Sequence, residues 1–168
     1  GGAEVIVDFQ GQGIWAYSNN SSWSQLHVLN GALLVTGDFD DDGRDDLIVD
    51  FPGFGIYVRA NNTSWHLLHP LSARHMAVGN VDTDPRRDLV VDFGASFGSW
   101  MWLNGTSWVP VHNLTSEKIV VNDLDRNGQD DITIAFGSGL GLWTYFNQAV
   151  WGQLNASSPE AMAPANLR

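Results

Sequence analysis

The chain has 168 residues, no cysteine, eight tryptophans, 18 glycines and a formal net charge of −11. A disulfide scaffold is excluded, no apolar run reaches the ~20 residues of a membrane-spanning helix, and a hydrophobic content of 43% suffices for a packed core. The acids are 16 Asp against three Glu (Glu4, Glu117, Glu160) beside a single lysine, Lys118, which argues against a phosphate-gripping surface, so nucleic acid and anionic lipid are poor partners and no membrane insertion is expected.

Residues 1–29 open with GGAEVIVDF, and no leader sequence is visible at Gly1, as in a mature protein or a fragment. Trp15, Asn19, Trp23 and His27 follow, and the same landmarks then return along the chain. Trp23, Trp65, Trp108 and Trp151 stand 42, 43 and 43 residues apart. Trp15, Tyr57, Trp100 and Trp143 keep the same steps, and Asp8-Phe9, Asp50-Phe51, Asp92-Phe93 and Ala135-Phe136 form a third series. Asn19, Asn61, Asn104 and Asn147 precede each first-series Trp by four residues. His27, His69 and His112 follow it by four, with Asn155 in the last copy.

These series divide the chain into units 30–71, 72–114 and 115–157, leaving 158–168 at one end and 1–29 at the other. The terminal SPEAMAPANLR is similar to SARHMAVGNVD, which opens unit 72–114, and AEVIVDF is similar to its continuation RDLVVDF. The two ends therefore read as halves of a fourth unit. Each unit reads as about four short strands; in unit 72–114 these are HMAVGN, DLVVDF, SWMWLN and SWVPVH, separated by Gly, Asn and Asp clusters. No stretch carries a helical period. The expected fold is all-β. Four-stranded repeats of ~40–45 residues are the size of propeller blades. The reading is a β-propeller of four ~42-residue blades, the fourth closed by pairing the N- and C-terminal segments. The competing arrangement is an open array whose end strands pair with other molecules.

The loop Asp38-Phe-Asp40-Asp-Asp42-Gly43-Arg44-Asp-Asp46 places acids at positions 1, 3, 5 and 9, with Gly where the backbone must turn sharply. Asp123-Leu-Asp125-Arg-Asn127-Gly128-Gln129-Asp-Asp131 repeats it. Alternate spacing aims several short side chains at one point, and Ca²⁺ takes six to eight oxygens from carboxylates, amides and carbonyls. The carbonyls of Arg44 and Gln129 fall at position 7, a backbone ligand. The middle copy, Asn80, Asp82, Asp84, Arg86 (by its carbonyl) and Asp88, has Pro85 in place of the glycine, so a weaker or distorted site is expected. The split copy, 166–168 joined to 1–4, has lost its acids and is expected to hold no metal. The three loops contain 13 of the 16 Asp; the others are Asp8, Asp50 and Asp92. An ordinary Asp-rich turn capped by side chains is the competing explanation of any one loop. An EF-hand is disfavoured, because its twelfth-position Glu and its flanking helices are missing. Massed carboxylates repel unless a cation joins them, so the metal's role is expected to be structural.

The repeated D-x-D-x-D-G-x-x-D-L/I-x-V-D/A-F-G pattern followed by G-[IL]-W resembles the FG-GAP or VCBS-type repeats. The segments GIWAYSNNSSW and GIYVRANNTSW also resemble the blade motif of fungal propeller lectins. The resemblance covers essentially the whole chain. It implies propeller blades of the kind found in integrin heads, bacterial adhesins and accessory domains of secreted enzymes. It carries the calcium-ligand role to Asp38, Asp40, Asp42, Asp46, Asp123, Asp125, Asn127 and Asp131. Those rings usually have seven blades and this chain holds four units, so a small ring, a fragment and an assembly of several chains stay open.

The first-series tryptophans are expected to pack between blades. Trp15, Tyr57, Trp100 and Trp143 alternate with Tyr17, Arg59, Trp102 and Tyr145, and side chains two apart on a strand share a face. Those eight residues are the candidate ligand-binding set, stacking on a sugar ring, with packing between blades as the alternative. The histidines recur one per unit and cannot converge on a zinc or catalytic site. No nucleophile elbow, zinc-protease helix or phosphate loop occurs, and Gly137-Ser138-Gly139-Leu140-Gly141 precedes a strand, so an enzyme is not expected. Acceptor sequons begin at Asn19, Asn20, Asn61, Asn62, Asn104, Asn113 and Asn155, largely from one repeated turn. The expected role is an extracellular or secreted, calcium-stabilised module binding glycans or other cell-surface ligands. The rival is a structural repeat block that assembles, as a homo-oligomer or in a larger surface structure, without binding sugar.

Overall fold

The computed structural model describes residues 3–61, 63–137 and 139–166, and among these, turns rich in Gly, Asn and Asp separate fifteen short strands and there is no helix. The first sheet holds β1 (Val5–Phe9), β2 (Gly13–Ser18) and β3 (Ser22–His27). The second holds β4 (Leu33–Gly37), β5 (Asp46–Phe51), β6 (Gly55–Ala60) and β7 (Ser64–His69). The third holds β8 (His75–Gly79), β9 (Asp88–Asp92), β10 (Ser99–Leu103) and β11 (Ser107–His112). The fourth holds β12 (Lys118–Asn122), β13 (Asp131–Ala135), β14 (Leu142–Phe146) and β15 (Val150–Asn155). All neighbours run antiparallel and in sequence order, so each unit is a meander.

One glycine per unit has a steric reason. The last two strands of each meander pair through a bulge, at Ile14/Trp15, Ile56/Tyr57, Ser99/Trp100 and Leu142/Trp143. The preceding glycine has positive φ, and a Cβ at Gly13 would lie 2.1 Å from the His27 carbonyl oxygen. Gly55, Gly98 and Gly141 meet His69, His112 and Asn155 in the same way. The G-[IL]-W motif is therefore a backbone requirement before it is anything else.

The sheets pack face to face in chain order. Ile14 meets Leu47, Val49 and Phe51 between the first and second sheets. Ile48 and Ile56 meet Leu89 and Val91 between the second and third. Val90 and Met101 meet Ile132 and Ile134 between the third and fourth. The strands β5, β9 and β13 are covered on both faces and buried throughout, and their near-continuous apolar runs reflect that double burial. Each fully buried aliphatic side chain contributes about 1.5–3 kcal/mol. The strands β4 and β12 each pack against β8.

The fourth unit departs from expectation. Its N-terminal half forms only β1–β3, and residues 156–166 carry no strand assignment. Residues 161–165 read AMAPA where the corresponding strands read LLVTG, HMAVG and KIVVN. Alanine has low strand propensity, and Pro164 has no N–H to give a ladder. Without that inner strand, β1 is the least covered of its series, and Val5 is 57% exposed.

Candidate functional site

The three acidic loops join the first two strands of units 30–71, 72–114 and 115–157, and they lie on one rim in contact with each other. The Arg87 N–H donates to the Asp38 carbonyl at 2.7 Å, and the Asp130 N–H donates to the Asn80 carbonyl at 2.7 Å. Arg87 also pairs with Asp130 at 3.7 Å.

In the first loop the backbone wraps around Asp38. Its two carboxylate oxygens accept the N–H groups of Asp42 (3.1 Å) and Gly43 (2.8 Å). Asp40 accepts the Asp42 N–H at 3.2 Å, and Asp42 accepts the Arg44 N–H at 2.9 Å. Asp41 and Gly43 take positive φ to allow this curl. The loop at 123–131 is built alike. Asp123 accepts the N–H groups of Asn127 (3.1 Å) and Gly128 (2.9 Å), Asp125 accepts Asn127 (3.2 Å), and Asn127 accepts Gln129 (2.7 Å). Arg126 and Gly128 have positive φ.

These curls produce two convergent acidic clusters that could hold a metal ion. Ligand oxygens of Asp38, Asp40 and Asp42 lie within 4.8 Å of one another, as do those of Asp123, Asp125 and Asp131. The ninth-position acids are clamps as well as candidate ligands. Asp46 accepts the N–H groups of Phe39 (3.3 Å) and Asn61 (2.9 Å), and Asp131 those of Leu124 (3.0 Å) and Asn147 (3.1 Å). Burial pushes the carboxyls of Asp46 and Asp131 up, whereas the Gly128 N–H, first among several donors, holds Asp123 down.

The middle loop places its residues differently. Pro85 has no N–H to give to position 1, and position 1 is the amide Asn80, whose NH₂ turns onto the Asp84 carbonyl at 2.5 Å. The Asn80 Oδ1 is left buried without a partner. Asp84 donates its N–H to Asp82 and accepts that of Arg86, each at 2.8 Å. Among the described residues Asp82, Asp84 and Asp88 do not form a convergent set. Asp88 keeps the clamp, accepting Val81 N–H at 2.9 Å, and burial, with the Asp82 charge adding to it, pushes its carboxyl up to about 6. Of the split loop, residues 1, 2, 167 and 168 lie outside the described residues.

Three residues of this rim were not assigned a role by the sequence. Asn61, Asn104 and Asn147 sit at φ of 52°, 55° and 53° in the hairpin turns of their units. Each donates its side-chain amide to the third-position acid, Asp40 (2.8 Å), Asp82 (3.0 Å) or Asp125 (2.9 Å). The signal was present as a once-per-unit Asn before the Trp, and asparagine tolerates the left-handed turn that puts it there. The Asn62 sequon lies outside the described residues.

The aromatic series lies at the opposite ends of the strands. The indole N–H groups of Trp15, Trp100 and Trp143 donate to the carbonyls of Gln12 (2.9 Å), Phe97 (2.8 Å) and Leu140 (2.8 Å), locking the preceding turn. Tyr57 packs with Phe51 in the core between the first two sheets. These four are half-buried, beside the exposed tips Phe54, Phe97 and Leu140.

Their expected partners belong to another contact. Tyr17, Arg59, Trp102 and Tyr145 lie across the hairpin from Trp23, Trp65, Trp108 and Trp151. Tyr17 and Tyr145 lie 4.9 and 4.8 Å from their tryptophans, and the Arg59 guanidinium sits 5.6 Å over Trp65. Trp102 corrects the expectation of an open stacking face: it is 7% exposed and packed with Phe39 and Trp108.

The histidines are interface residues. His27, His69 and His112 lie 4.5, 4.4 and 4.6 Å from Phe51, Phe93 and Phe136 of the following unit, and edge-on to its Trp65, Trp108 and Trp151. Each Nδ1 accepts a backbone N–H two residues on, and burial lowers the pKa of all three.

Comparison of the chain with protein-family models, with characterised proteins and with solved structures found no match. The resemblance to FG-GAP and VCBS repeats stands on the motifs themselves.

Proposed function

We propose that the chain is a calcium-stabilised four-bladed β-propeller that acts outside the cell as a carbohydrate-binding or adhesion module. The convergence of Asp38, Asp40 and Asp42, and of Asp123, Asp125 and Asp131, carries the calcium reading. All-oxygen donor sets fit Ca²⁺, and backbone carbonyls at Arg44 and Gln129 would complete them. Millimolar extracellular calcium would keep sites of modest affinity filled. The ring reading is supported by a cavity of about 340 Å³ lined by Leu33, His75, Lys118 and Ala161, the corresponding positions of all four units. In this reading residues 160–162 take the place of a fourth inner strand.

The ligand reading rests on Trp15, Tyr57, Trp100 and Trp143, which repeat one half-buried aromatic face per unit on the rim away from the metal loops. A flat apolar face beside backbone carbonyls suits a sugar ring, whose hydroxyls need polar neighbours. A glycan array run with calcium tests this. Binding that falls on Trp15→Ala, Trp100→Ala and Trp143→Ala supports it; no glycan bound by folded, calcium-loaded protein overturns it. The second reading, an assembly module without sugar binding, is favoured by the uncovered β1 with exposed Val5, Phe9 and Trp23. Oligomers that grow with concentration support that reading.

A further inference from the structure

We propose that the junction between unit 115–157 and the sheet β1–β3 is a seam, the one place where the ring opens; this rests on the ring reading above. Four devices that bind consecutive units are each altered at this junction, and three of them, the stack, the tether and the apolar cover, are altered nowhere else.

The first is the ring stack. His27, His69 and His112 each lie against the Phe and Trp of the next unit, but the last unit presents Asn155. The Phe9 and Trp23 that would receive it are 38% and 49% exposed.

The second is an aspartate tether that holds the start of the following unit. Asp8 accepts from Asn30 and from the Gly31 N–H, Asp50 from Ser72 and Ala73, and Asp92 from Thr115 and Ser116. In the last unit the aspartate is Ala135, and the Ser158 hydroxyl it would have met is buried without a partner.

The third is a close approach of inner strands. A Cβ at Gly37 would lie 2.8 Å from Val78, and one at Gly79 would lie 2.2 Å from Val121. The corresponding residue of β12 is Asn122, too large for that approach. It lines a cleft of about 710 Å³ together with Asp123, Asp130, Pro164 and Asn166.

The fourth is apolar cover. Val5 corresponds to Leu47, Leu89 and Ile132, which are 5%, 0% and 1% exposed, yet Val5 is 57% exposed. Leu154, on the facing sheet, is 49% exposed.

Cooperative units open first where buried contacts are fewest. The other three junctions keep stack, tether and apolar cover, so opening concentrates at the fourth. The same junction carries β1, an edge strand without an inner-strand partner, whose N–H and C=O groups can accept a strand.

The chain has no cysteine, so introduced pairs take spin labels uniquely. Ser22, Ser64, Ser107 and Val150 are the exposed first residues of the outer strands of the four units. Pulsed EPR on calcium-loaded Ser22→Cys/Val150→Cys reads the seam, and Ser64→Cys/Ser107→Cys reads an ordinary junction. The control pair is expected to give one distance. The seam pair is expected to give that distance and a second, longer one. Asn155→His restores the missing stack and is expected to lower the longer population between about twofold and tenfold, the ratio one aromatic pair supplies. A seam pair identical to the control overturns the seam and leaves the ring standing. A seam pair with only the long distance overturns the ring reading, and the seam with it. A longer population unmoved by Asn155→His overturns the assignment of the weakness to the absent stack.

Discussion

The loops 38–46 and 80–88 occupy the same place in consecutive units, share the Asp clamp at position 9 and the Asn bond to position 3, and still differ in how they gather their acids. In the first loop, N–H groups at positions 5 and 6 curl around the position-1 carboxylate, and three acids converge. In the second, one proline removes a donor and one amide replaces the central acceptor, and the acids stay apart. The first loop carries acids at positions 1, 3, 5 and 9, the middle loop only at 3, 5 and 9. Both convergent sets include the position-1 acid, and the curl around it uses an N–H at position 6, which Pro85 lacks.

Calcium should have the largest effect, because it acts on the two curled loops together. Saturating calcium is expected to raise the unfolding temperature of chelator-treated protein by roughly 10–20 °C, from a few kcal/mol of linkage at two sites. Differential scanning calorimetry reads this, and superimposed curves with and without metal would end the calcium reading. Next is repair of the middle loop. Asn80→Asp with Pro85→Gly restores acceptor and donor, and equilibrium dialysis should then count three calcium ions in place of two. A count still at two shows that the curl needs more than these residues.

A smaller effect is expected at the asparagine brace. Asn61→Gly keeps the left-handed turn and removes the bond to Asp40, so denaturant unfolding should show a loss of about 1 kcal/mol. Asn19→Gly, in the unit without an acidic loop, should cost less. The smallest effect is in pH. Burial raises the Asp88 carboxyl to about 6, above its unfolded value, so the folded state binds this proton more tightly. The stability linked to that proton is fully present near pH 4 and is lost as pH rises through about 6, with a slope of at most about 1.4 kcal/mol per pH unit. In metal-free protein this part of the pH dependence between 5 and 7 should vanish in Asp88→Asn. An unchanged profile contradicts it.

Much of this was legible in the sequence, for physical reasons. Strands such as DLVVD and SWVPVH could be read directly because turn residues bound them and their spacing repeats. The acidic loops were legible because ligand spacing is a local property of the chain. What escaped depends on neighbours. Trp102 and Tyr145 share a face with Trp100 and Trp143, but cross-strand register pairs them with Trp108 and Trp151 instead. The histidines are half-buried strand residues, and only the packing of consecutive sheets shows them stacked on the next unit. The AMAPA segment matched its repeat by position, while its alanines and Pro164 withhold the ladder that position implies. The roles of Asn61, Asn104 and Asn147 needed the turn brought over the loop.

The central claim is that two of the three acidic loops bind calcium and the middle one does not. Calorimetric titration of chelator-treated protein tests it most directly, with Asp38→Ala, Asp82→Ala and Asp123→Ala beside the parent. The account predicts two equivalents for the parent and for Asp82→Ala, and one for each of the other two variants. No heat of binding in the parent, or the loss of an equivalent in Asp82→Ala, would contradict it.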